Sequence, residues 1–191
     1  MIKSITVFCA SSTQTPEIYR QQARRLGDLL ADADIQCYYG GGRVGLMGDL
    51  AQTMVRRKAK ITGIIPEFMV KEGWDNADVE ELVVPDMYRR KDLLLNKAEA
   101  IVALAGGCGT LDELMEAITA KQLGLIHVPI VILNVNGYFD SLLSMLNRAV
   151  EEHFMRPEHK SLWSVVNTAD EVLPAIEDSS VLPNARGLAA I

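Results

Sequence analysis

Short apolar runs alternate with longer amphipathic segments along most of this chain. Each run has the length of a strand, and the runs occupy residues 4–8, 35–39, 61–65, 82–84, 100–104, 128–133 and 162–166. The segments between them carry apolar residues at helical spacing, as in the series Ala23, Leu26 and Leu30. Strands that are apolar on both faces and alternate with helices are typical of a parallel sheet covered by helices. The pattern therefore predicts an α/β fold with a doubly wound parallel sheet and helices on both faces.

Capping and turn residues predict the ends of several elements. We expect Thr15 to cap the first helix, with Pro16 at its first position. The mixed polar stretch at residues 67–80 predicts a loop, and Thr168 and Glu171 form a capping box that begins a final helix ending at Ile176. Further helices are expected at about residues 46–57, 87–98 and 138–153. Because the chain has no repeat and no linker, we predict a single domain over residues 1–177 and a loose tail at residues 178–191.

Composition narrows the class of protein and of partner. Hydrophobic residues make up 49% and charged residues 23% of the 191 residues, which is typical of a globular domain. A net charge of −6 argues against a nucleic-acid partner, and no apolar run is long enough to span a membrane. The three cysteines are odd in number and lack metal-ligand spacing, which indicates free thiols in a reducing compartment. We therefore expect a cytoplasmic protein that holds no metal and binds neither nucleic acid nor membrane.

Unusual residues gather where the predicted strands end. In a doubly wound sheet the ligand binds outside the carboxyl ends of the strands. Ser11 and Ser12 follow the first strand, a glycine loop at residues 40–48 follows the second, and another at residues 106–110 follows the strand at 100–104. The last loop opens a helix, whose unpaired N–H groups and dipole form a cradle for a phosphate. Two glycine loops that face one crevice fit a single nucleotide.

The loop at residues 40–45 also matches the G-x-G-x-x-G pattern of dinucleotide-binding folds. Glu67 stands near the end of the next strand, about where such folds place an acid for the ribose. The pattern follows the second predicted strand, however, and a tight turn with close helix packing explains the same glycines. An NAD-binding protein stays open as a weaker hypothesis, which titration with NAD would test.

Glu113 has two interpretations on sequence alone. It can complete a capping box with Thr110, which makes it a structural residue of the helix start. Alternatively, its carboxylate lies in the first turn and faces the crevice, where it would hold ribose hydroxyls or face a developing cation. Arg90 belongs to a cationic cluster at residues 89–91, and cations at a helix start need a partner carboxylate or an anionic ligand. A solvated charged face is the alternative for that cluster.

Two long motifs give the chain a recognisable resemblance. Gly40-Gly-Gly-Arg-Val-Gly-Leu-Met-Gly48 and Gly106-Gly-Cys-Gly-Thr-Leu-Asp-Glu113 resemble those of the Lonely Guy (LOG) family, whose hallmark is P-G-G-x-G-T-x-x-E. The resemblance covers nearly the whole chain and implies a Rossmann-like homodimer or larger oligomer. It also implies hydrolysis of the N-glycosidic bond of cytokinin riboside 5′-monophosphates, and often of AMP, to the free base and ribose 5-phosphate. Many relatives carry the label lysine decarboxylase, but the chain shows no pyridoxal-phosphate site, and no cofactor is implied.

The resemblance assigns roles to individual residues. It makes Arg90 and Glu113 the catalytic pair, with Arg90 positioning the nucleotide or assisting the leaving base and Glu113 stabilising an oxocarbenium-like sugar. The predicted substrate-binding residues are Ser11, Ser12, Gly41, Gly42, Gly45, Glu72, Met87, Lys91, Gly106, Gly107, Cys108, Gly109, Thr110 and Thr119. The chain departs from the family pattern at four positions, which are Ala10, Tyr88, Ala105 and Ala120. Of these, Tyr88 and Ala120 bear on which base is favoured.

A non-catalytic protein on the same scaffold is the alternative, such as a molybdenum-cofactor carrier that uses the phosphate cradle without hydrolysis. Retention of both Arg90 and Glu113 favours the enzyme. Release of free base from AMP or isopentenyladenosine monophosphate would distinguish the two hypotheses.

Overall fold

A computed structural model describes residues 2–180 of the chain, which form a single seven-stranded sheet with helices on its faces. The strands are β1 (Ser4–Phe8), β2 (Gln36–Tyr39), β3 (Ile61–Pro66), β4 (Glu80–Val84), β5 (Ala100–Ala103), β6 (Ile130–Leu133) and β7 (Ser164–Val166). The helices are α1 (Glu17–Asp32), α2 (Gly45–Arg56), α3 (Glu67–Lys71), α4 (Met87–Asn96), α5 (Cys108–Gln122), α6 (Asp140–Glu151) and α7 (Val172–Ser180). Short 3₁₀ turns lie at Val135–Gly137, Pro157–Leu162 and Ala169–Glu171.

Every strand pairs in parallel with its neighbours, in the order β4-β3-β2-β1-β5-β6-β7. The chain winds outwards from β1 to β4 and then returns to place β5 on the other side of β1. The strand order therefore reverses between β1 and β5, which is where doubly wound sheets open a crevice for ligands. The predicted fold class, a Rossmann-like doubly wound sheet, is confirmed.

Each face of the sheet packs against its own set of helices. On one face, strand residues such as Val7 and Val102 pack with Leu26 of α1 and Leu50 of α2. The 3₁₀ turn at Ala169–Glu171 and helix α7 complete that layer. On the other face the sheet packs against α4 and α5 through buried residues that include Leu94 and Leu114, and against α6 through the partly buried Leu142 and Leu143. Strands that are apolar on both faces are the reason why helices must cover both sides.

Three local predictions need correction. Helix α1 begins at Glu17 after Pro16, and the Thr15 hydroxyl donates to the Ser12 carbonyl rather than capping the helix. The stretch at residues 67–80 is not all loop, because it begins with the short helix α3. The capping box of Thr168 and Glu171 is confirmed, but it opens a 3₁₀ turn that leads into α7, which continues to Ser180. The predicted tail began at residue 178, and residues 181–191 lie outside the described part of the chain.

Candidate active site

The loops that follow β1, β2 and β5 are tied together by the backbone of Ala10. Its N–H donates to the Ala105 carbonyl at 3.1 Å, and its carbonyl accepts from the Met47 N–H at 3.1 Å. These bonds bring the carboxyl ends of three strands to one cleft of about 660 Å³. The cleft is lined by Cys9, Ala10, Ser11, Ser12, Gly40, Gly42, Arg43, Val44, Met47, Ile65, Met69, Gly73, Trp74, Met87, Arg90, Gly107, Gly109, Thr110 and Glu113. The cleft lies outside the carboxyl ends of the strands where the strand order reverses, which is where doubly wound sheets bind ligands.

Arg90 is buried at the floor of this cleft, and three acceptors hold its guanidinium. Its Nη1 donates to Glu113 Oε1 at 2.7 Å, its Nε to the Ile64 carbonyl at 3.1 Å, and its Nη2 to the Gly40 carbonyl at 3.4 Å. Gly40 leaves the room that this arrangement needs, because a Cβ there would collide with the same Nη2. Arg90 comes from the first turn of α4, which Asp86 caps by accepting from the Arg89 N–H at 2.8 Å. The cation is therefore fixed before any ligand arrives.

Glu113 faces the cleft from α5 and is 6% exposed. Burial raises the pKa of its carboxyl above the ordinary glutamate value, although the neighbouring Arg90 cation acts in the opposite direction. The predicted capping box of Thr110 and Glu113 is wrong, because α5 begins two residues earlier, at Cys108. Gly107 occupies the N-cap position, and no side chain caps the helix. Glu113 thus lies beyond the first turn, where its carboxylate binds Arg90 instead of the helix end.

The glycine loop at residues 106–110 presents open backbone at the start of α5. Gly107 and Gly109 line the cleft, and a Cβ at either would meet nothing within 4 Å. Gly106 is packed instead, because a Cβ there would collide with the Thr110 side chain. The first N–H groups of a helix have no intrahelical acceptor, and they point out of its N-terminus. Within the described chain, the hydroxyl of the buried Thr110 has no hydrogen bond, so the loop offers several donors to an anion.

A tyrosine outside the cleft fixes this loop. The Tyr138 hydroxyl donates to the Gly106 carbonyl at 2.6 Å. Its ring packs edge-on against Tyr19 and Phe139, with ring centroids 5.6 and 5.1 Å away. The glycine loop is therefore anchored from outside the cleft, and its donors keep one orientation.

The second glycine loop both shapes the cleft and lines part of it. Gly41 and Gly45 have φ angles of +80° and +65°, which favour glycine. A Cβ at Gly45 would also meet the backbone of Ser12, so this glycine lets the loops after β1 and β2 approach each other. Gly40 and Gly42 of this loop line the cleft, whereas Gly41 and Gly45 do not. The loop follows β2, whereas the strand order reverses between β1 and β5.

The structure brings nine of the predicted site residues to the cleft wall. They are Ser11, Ser12, Gly42, Met87, Arg90, Gly107, Gly109, Thr110 and Glu113. The other seven predicted residues do not line the cleft, and they are Gly41, Gly45, Glu72, Lys91, Gly106, Cys108 and Thr119.

Three of the residues outside the cleft have structural partners or surroundings of their own. Lys91 Nζ pairs with Glu116 at 2.9 Å and Asp112 at 3.1 Å, and hydrogen bonding to Glu116 chiefly raises the pKa of the lysine. The Thr119 hydroxyl donates to the Met115 carbonyl of its own helix at 2.8 Å. Glu72 is the exposed C-cap residue of α3.

One wall of the cleft was missed by sequence reasoning. It is apolar and carries Met47, Ile65, Met69 and Trp74. Met69 and Trp74 come from α3 and the turn after it, which had been predicted as loop. The apolar run Phe68-Met69-Val70 and Trp74 were the available signal. Sequence reasoning also missed Arg43, which lies in the loop after β2 and whose guanidinium can bind an anion.

The remaining candidate groups serve packing. Cys9 and Cys37 are buried, and burial raises the pKa of both thiols, so neither is an activated nucleophile. Among residues 2–180, no cluster of three or more His, Cys, Asp or Glu side chains is placed to hold a metal ion. None of the helices described is long and apolar enough to cross a membrane.

Comparisons with known proteins identify the family of this chain. A family described as "Possible lysine decarboxylase" matches residues 47–176. A cytokinin riboside 5′-monophosphate phosphoribohydrolase of Arabidopsis thaliana is 38% identical over 92% of this chain and 83% of its own length. A probable enzyme of the same name from Oryza sativa subsp. japonica is 37% identical over 93% of this chain and 73% of its own length.

Solved structures show the same fold at lower identity. The molybdenum cofactor carrier protein of Chlamydomonas reinhardtii superposes with a TM-score of 0.71 and is 18% identical, covering 95% of this chain and all of its own. At that identity the likeness concerns the fold alone. The family match over most of the chain and the 38% identity to the plant phosphoribohydrolase decide the family. This chain belongs to the Lonely Guy (LOG) family.

Proposed function

We propose that this protein hydrolyses the N-glycosidic bond of adenosine 5′-monophosphates, including N6-substituted ones, to the free base and ribose 5-phosphate. The observation that carries the proposal is the buried Arg90–Glu113 pair, 2.7 Å apart at the floor of a cleft that also holds the N-terminus of α5. The relatives named above carry this activity in their names. The fixed carboxylate and guanidinium in the cleft favour a hydrolase over a carrier.

The phosphate end of the substrate would lie at the start of α5. Gly107 and Gly109 leave the backbone open there, and Thr110 adds a hydroxyl that no protein group within residues 2–180 occupies. Helix N-termini bind phosphate through their unpaired N–H groups and the positive end of the dipole. A carboxylate at the same place would repel the phosphate, and Glu113 lies further along the helix. Phosphate and carboxylate thus occupy different parts of one site.

The chemistry follows from charge development at the sugar. Departure of the base breaks the C1′–N9 bond, whose electron pair leaves with the base, and positive charge develops on the ribose. The Glu113 carboxylate would hold the ribose hydroxyls and stabilise this cation, while Arg90 fixes the carboxylate and orients the nucleotide. Water then forms the new C1′–O bond, and its proton balances the one that the base acquires. A guanidinium does not lose its proton, so Arg90 is not the acid.

The apolar wall suits the base. Met47, Ile65, Met69 and Trp74 form this wall, and thioether and aromatic groups pack well on a flat purine ring. An apolar wall also tolerates an apolar substituent on N6 of adenine. The base would therefore lie on this wall, with the ribose between it and the α5 end of the cleft.

The direct test is incubation of the purified protein with AMP and with isopentenyladenosine monophosphate, followed by chromatography of the free base. Release of base and ribose 5-phosphate in equal amounts would support the proposal. If neither nucleotide loses its base while calorimetry shows that one of them binds, the chain is a nucleotide or molybdenum-cofactor carrier. If only NAD binds, the dinucleotide hypothesis replaces both.

We also propose that the protein works as a homodimer in the cytoplasm. Large apolar side chains, including Tyr88, Leu125 and Phe154, remain exposed on one copy. The cysteines at positions 9, 37 and 108 are free thiols, as expected in a reducing compartment. Light scattering should give twice the 21.0 kDa of one chain, and a monomer mass at working concentration would contradict the dimer.

A further inference from the structure

Arg43 is an unpaired cation on the wall of the cleft. It is exposed, lies in the loop between β2 and α2, and lines both the cleft and an adjoining groove with Arg20 and Gln52. Within residues 2–180 its guanidinium has no carboxylate partner. The nearby Asp49 is already bound by Arg20 at 2.7 Å and by Arg24 at 3.0 Å. The described part of the chain therefore supplies no anion for Arg43.

The position of Arg43 makes an unpaired cation unfavourable without a ligand. It lies two residues before the first residue of α2, whose N-cap residue, Val44, offers no side-chain hydrogen bond. The positive end of a helix dipole repels a cation at this place. An anion held between the guanidinium and the neighbouring loops would remove that conflict.

The charges on the cleft wall indicate which anion. Among the residues that line it, Arg90 and Glu113 neutralise each other, so Arg43 leaves a net charge of +1 on a chain whose total is −6. Ala10 lies between the two loops, because it bonds to Met47 at the start of α2 and to Ala105 before the glycine loop. Arg43 and the N–H donors at the start of α5 thus line one cleft, on either side of the loop that follows β1.

We propose that Arg43 is a specificity-determining residue that binds the 5′-phosphate of the substrate, so that the cleft selects nucleotides over nucleosides. This inference rests on the proposed function. The phosphate receives N–H and hydroxyl donors from the loop at residues 106–110 and its counter-charge from Arg43. Arg90 does not supply this counter-charge, because its own charge is already balanced by the Glu113 carboxylate 2.7 Å away.

The test compares AMP with adenosine in the wild type, in Arg43→Gln and in Arg56→Gln. Arg56 is a matched control, because it is an exposed arginine at the other end of α2, outside the cleft. We expect Arg43→Gln to raise KM for AMP on the order of ten- to a hundredfold, the effect of losing a hydrogen bond to a charged group. Its kcat for AMP, and its kcat/KM for adenosine, should stay within about twofold of the wild type, as should every constant of the control.

Binding measured by calorimetry separates this inference from the proposed function. If the wild type releases no base, the hydrolase proposal fails, yet Arg43→Gln should still weaken AMP binding and leave adenosine binding unchanged. An unchanged KM and an unchanged Kd for AMP in Arg43→Gln would overturn the role of Arg43. Equal losses for AMP and adenosine would also overturn it, because they would indicate a change in the shape of the loop.

Discussion

Two neighbouring cations of α4, Arg90 and Lys91, form ion pairs with α5. Arg90 and Glu113 have side chains that are each 7% exposed, and the guanidinium also donates to two backbone carbonyls. Lys91 faces outwards and pairs with Asp112 and Glu116, whose side chains are 57% and 40% exposed. The Arg90 pair lies inside the cleft, whereas the Lys91 pairs lie on the surface.

The difference in burial between these ion pairs indicates which of the two cations belongs to the candidate site. Burying two charges costs desolvation energy that their attraction does not always repay, so a buried pair is a poor device for stability alone. A surface pair costs little and contributes little. Burial within the cleft therefore supports the chemical role that we propose for Arg90, and Lys91 on the surface lacks that support. Lys91 holds α4 against α5 at the surface.

The largest effect is expected from Glu113→Gln. The amide retains an oxygen that can accept from Arg90, but it carries no negative charge to stabilise a cation on the ribose. We expect kcat for AMP to fall by about a hundred- to ten-thousandfold, the usual range for a lost catalytic group. Steady-state kinetics with the base separated by chromatography measures the loss, and circular dichroism checks the fold. Wild-type turnover in this variant would exclude Glu113 from catalysis.

Arg90→Ala should reveal the cost of breaking the buried pair. The change leaves Glu113 without its cation and removes the donor to the carbonyls of Ile64 and Gly40. We expect the free energy of unfolding to fall by about 3–5 kcal/mol, as for other buried pairs that lose one partner. Urea denaturation followed by tryptophan fluorescence measures it. A loss below about 1 kcal/mol would mean that the pair is solvated like that of Lys91.

The pH dependence of activity should follow the carboxyl of Glu113. Burial raises its pKa above 4.5, and the ionised form is the one that stabilises the sugar cation. The acid limb of kcat/KM should therefore have its midpoint above pH 4.5 and disappear in the residual activity of Glu113→Gln. A limb at or below pH 4.5 in the wild type would contradict a buried, functional carboxyl.

The same shift has the opposite sign for stability. A carboxyl with a raised pKa in the folded state binds its proton more tightly there than in the unfolded chain. Its contribution to stability is therefore greatest at low pH and is lost as pH rises from 4.5 through the folded-state pKa of Glu113. Activity and this part of the stability should thus change in opposite directions over one interval of pH.

Lys91→Gln should have the smallest effect. The lysine lies outside the cleft wall, and its two partners are exposed to solvent. We expect a loss of at most about 1 kcal/mol of unfolding free energy, reduced further by salt, and a kcat within about twofold of the wild type. Parallel urea titrations at low and high salt test this. A KM for AMP that rises more than about tenfold would restore the predicted contact between Lys91 and the nucleotide.

Much of the fold could be predicted because its strands are apolar on both faces. Runs such as Ile130–Leu133 and Ala100–Ala103 leave few alternatives to a central parallel sheet. The ends of elements were harder, as at α5, where the helix begins at Cys108 although Thr110 is the better capping residue. Gly106 packs closely against Thr110, which lies inside the helix. The capping preferences of single residues do not reflect such a contact.

The site was predictable as a set of loops but not as a set of contacts. Strand ends locate the loops, and the resemblance to the LOG family points to Arg90 and Glu113. Their ion pair depends on how α4 and α5 cross, and those residues are 23 positions apart in the chain. The apolar wall depends on α3, whose five residues are too few to show a helical period.

The backbone bonds of Ala10 have a consequence for how this protein can be redesigned. Because main-chain groups hold the three loops together, the frame of the cleft does not depend on which side chains the loops carry. Met69 and Trp74 on the apolar wall can therefore be exchanged while the frame stays rigid. An engineer who wants a nucleotide with a different base should vary that wall and leave Ala10 and its two partners in place.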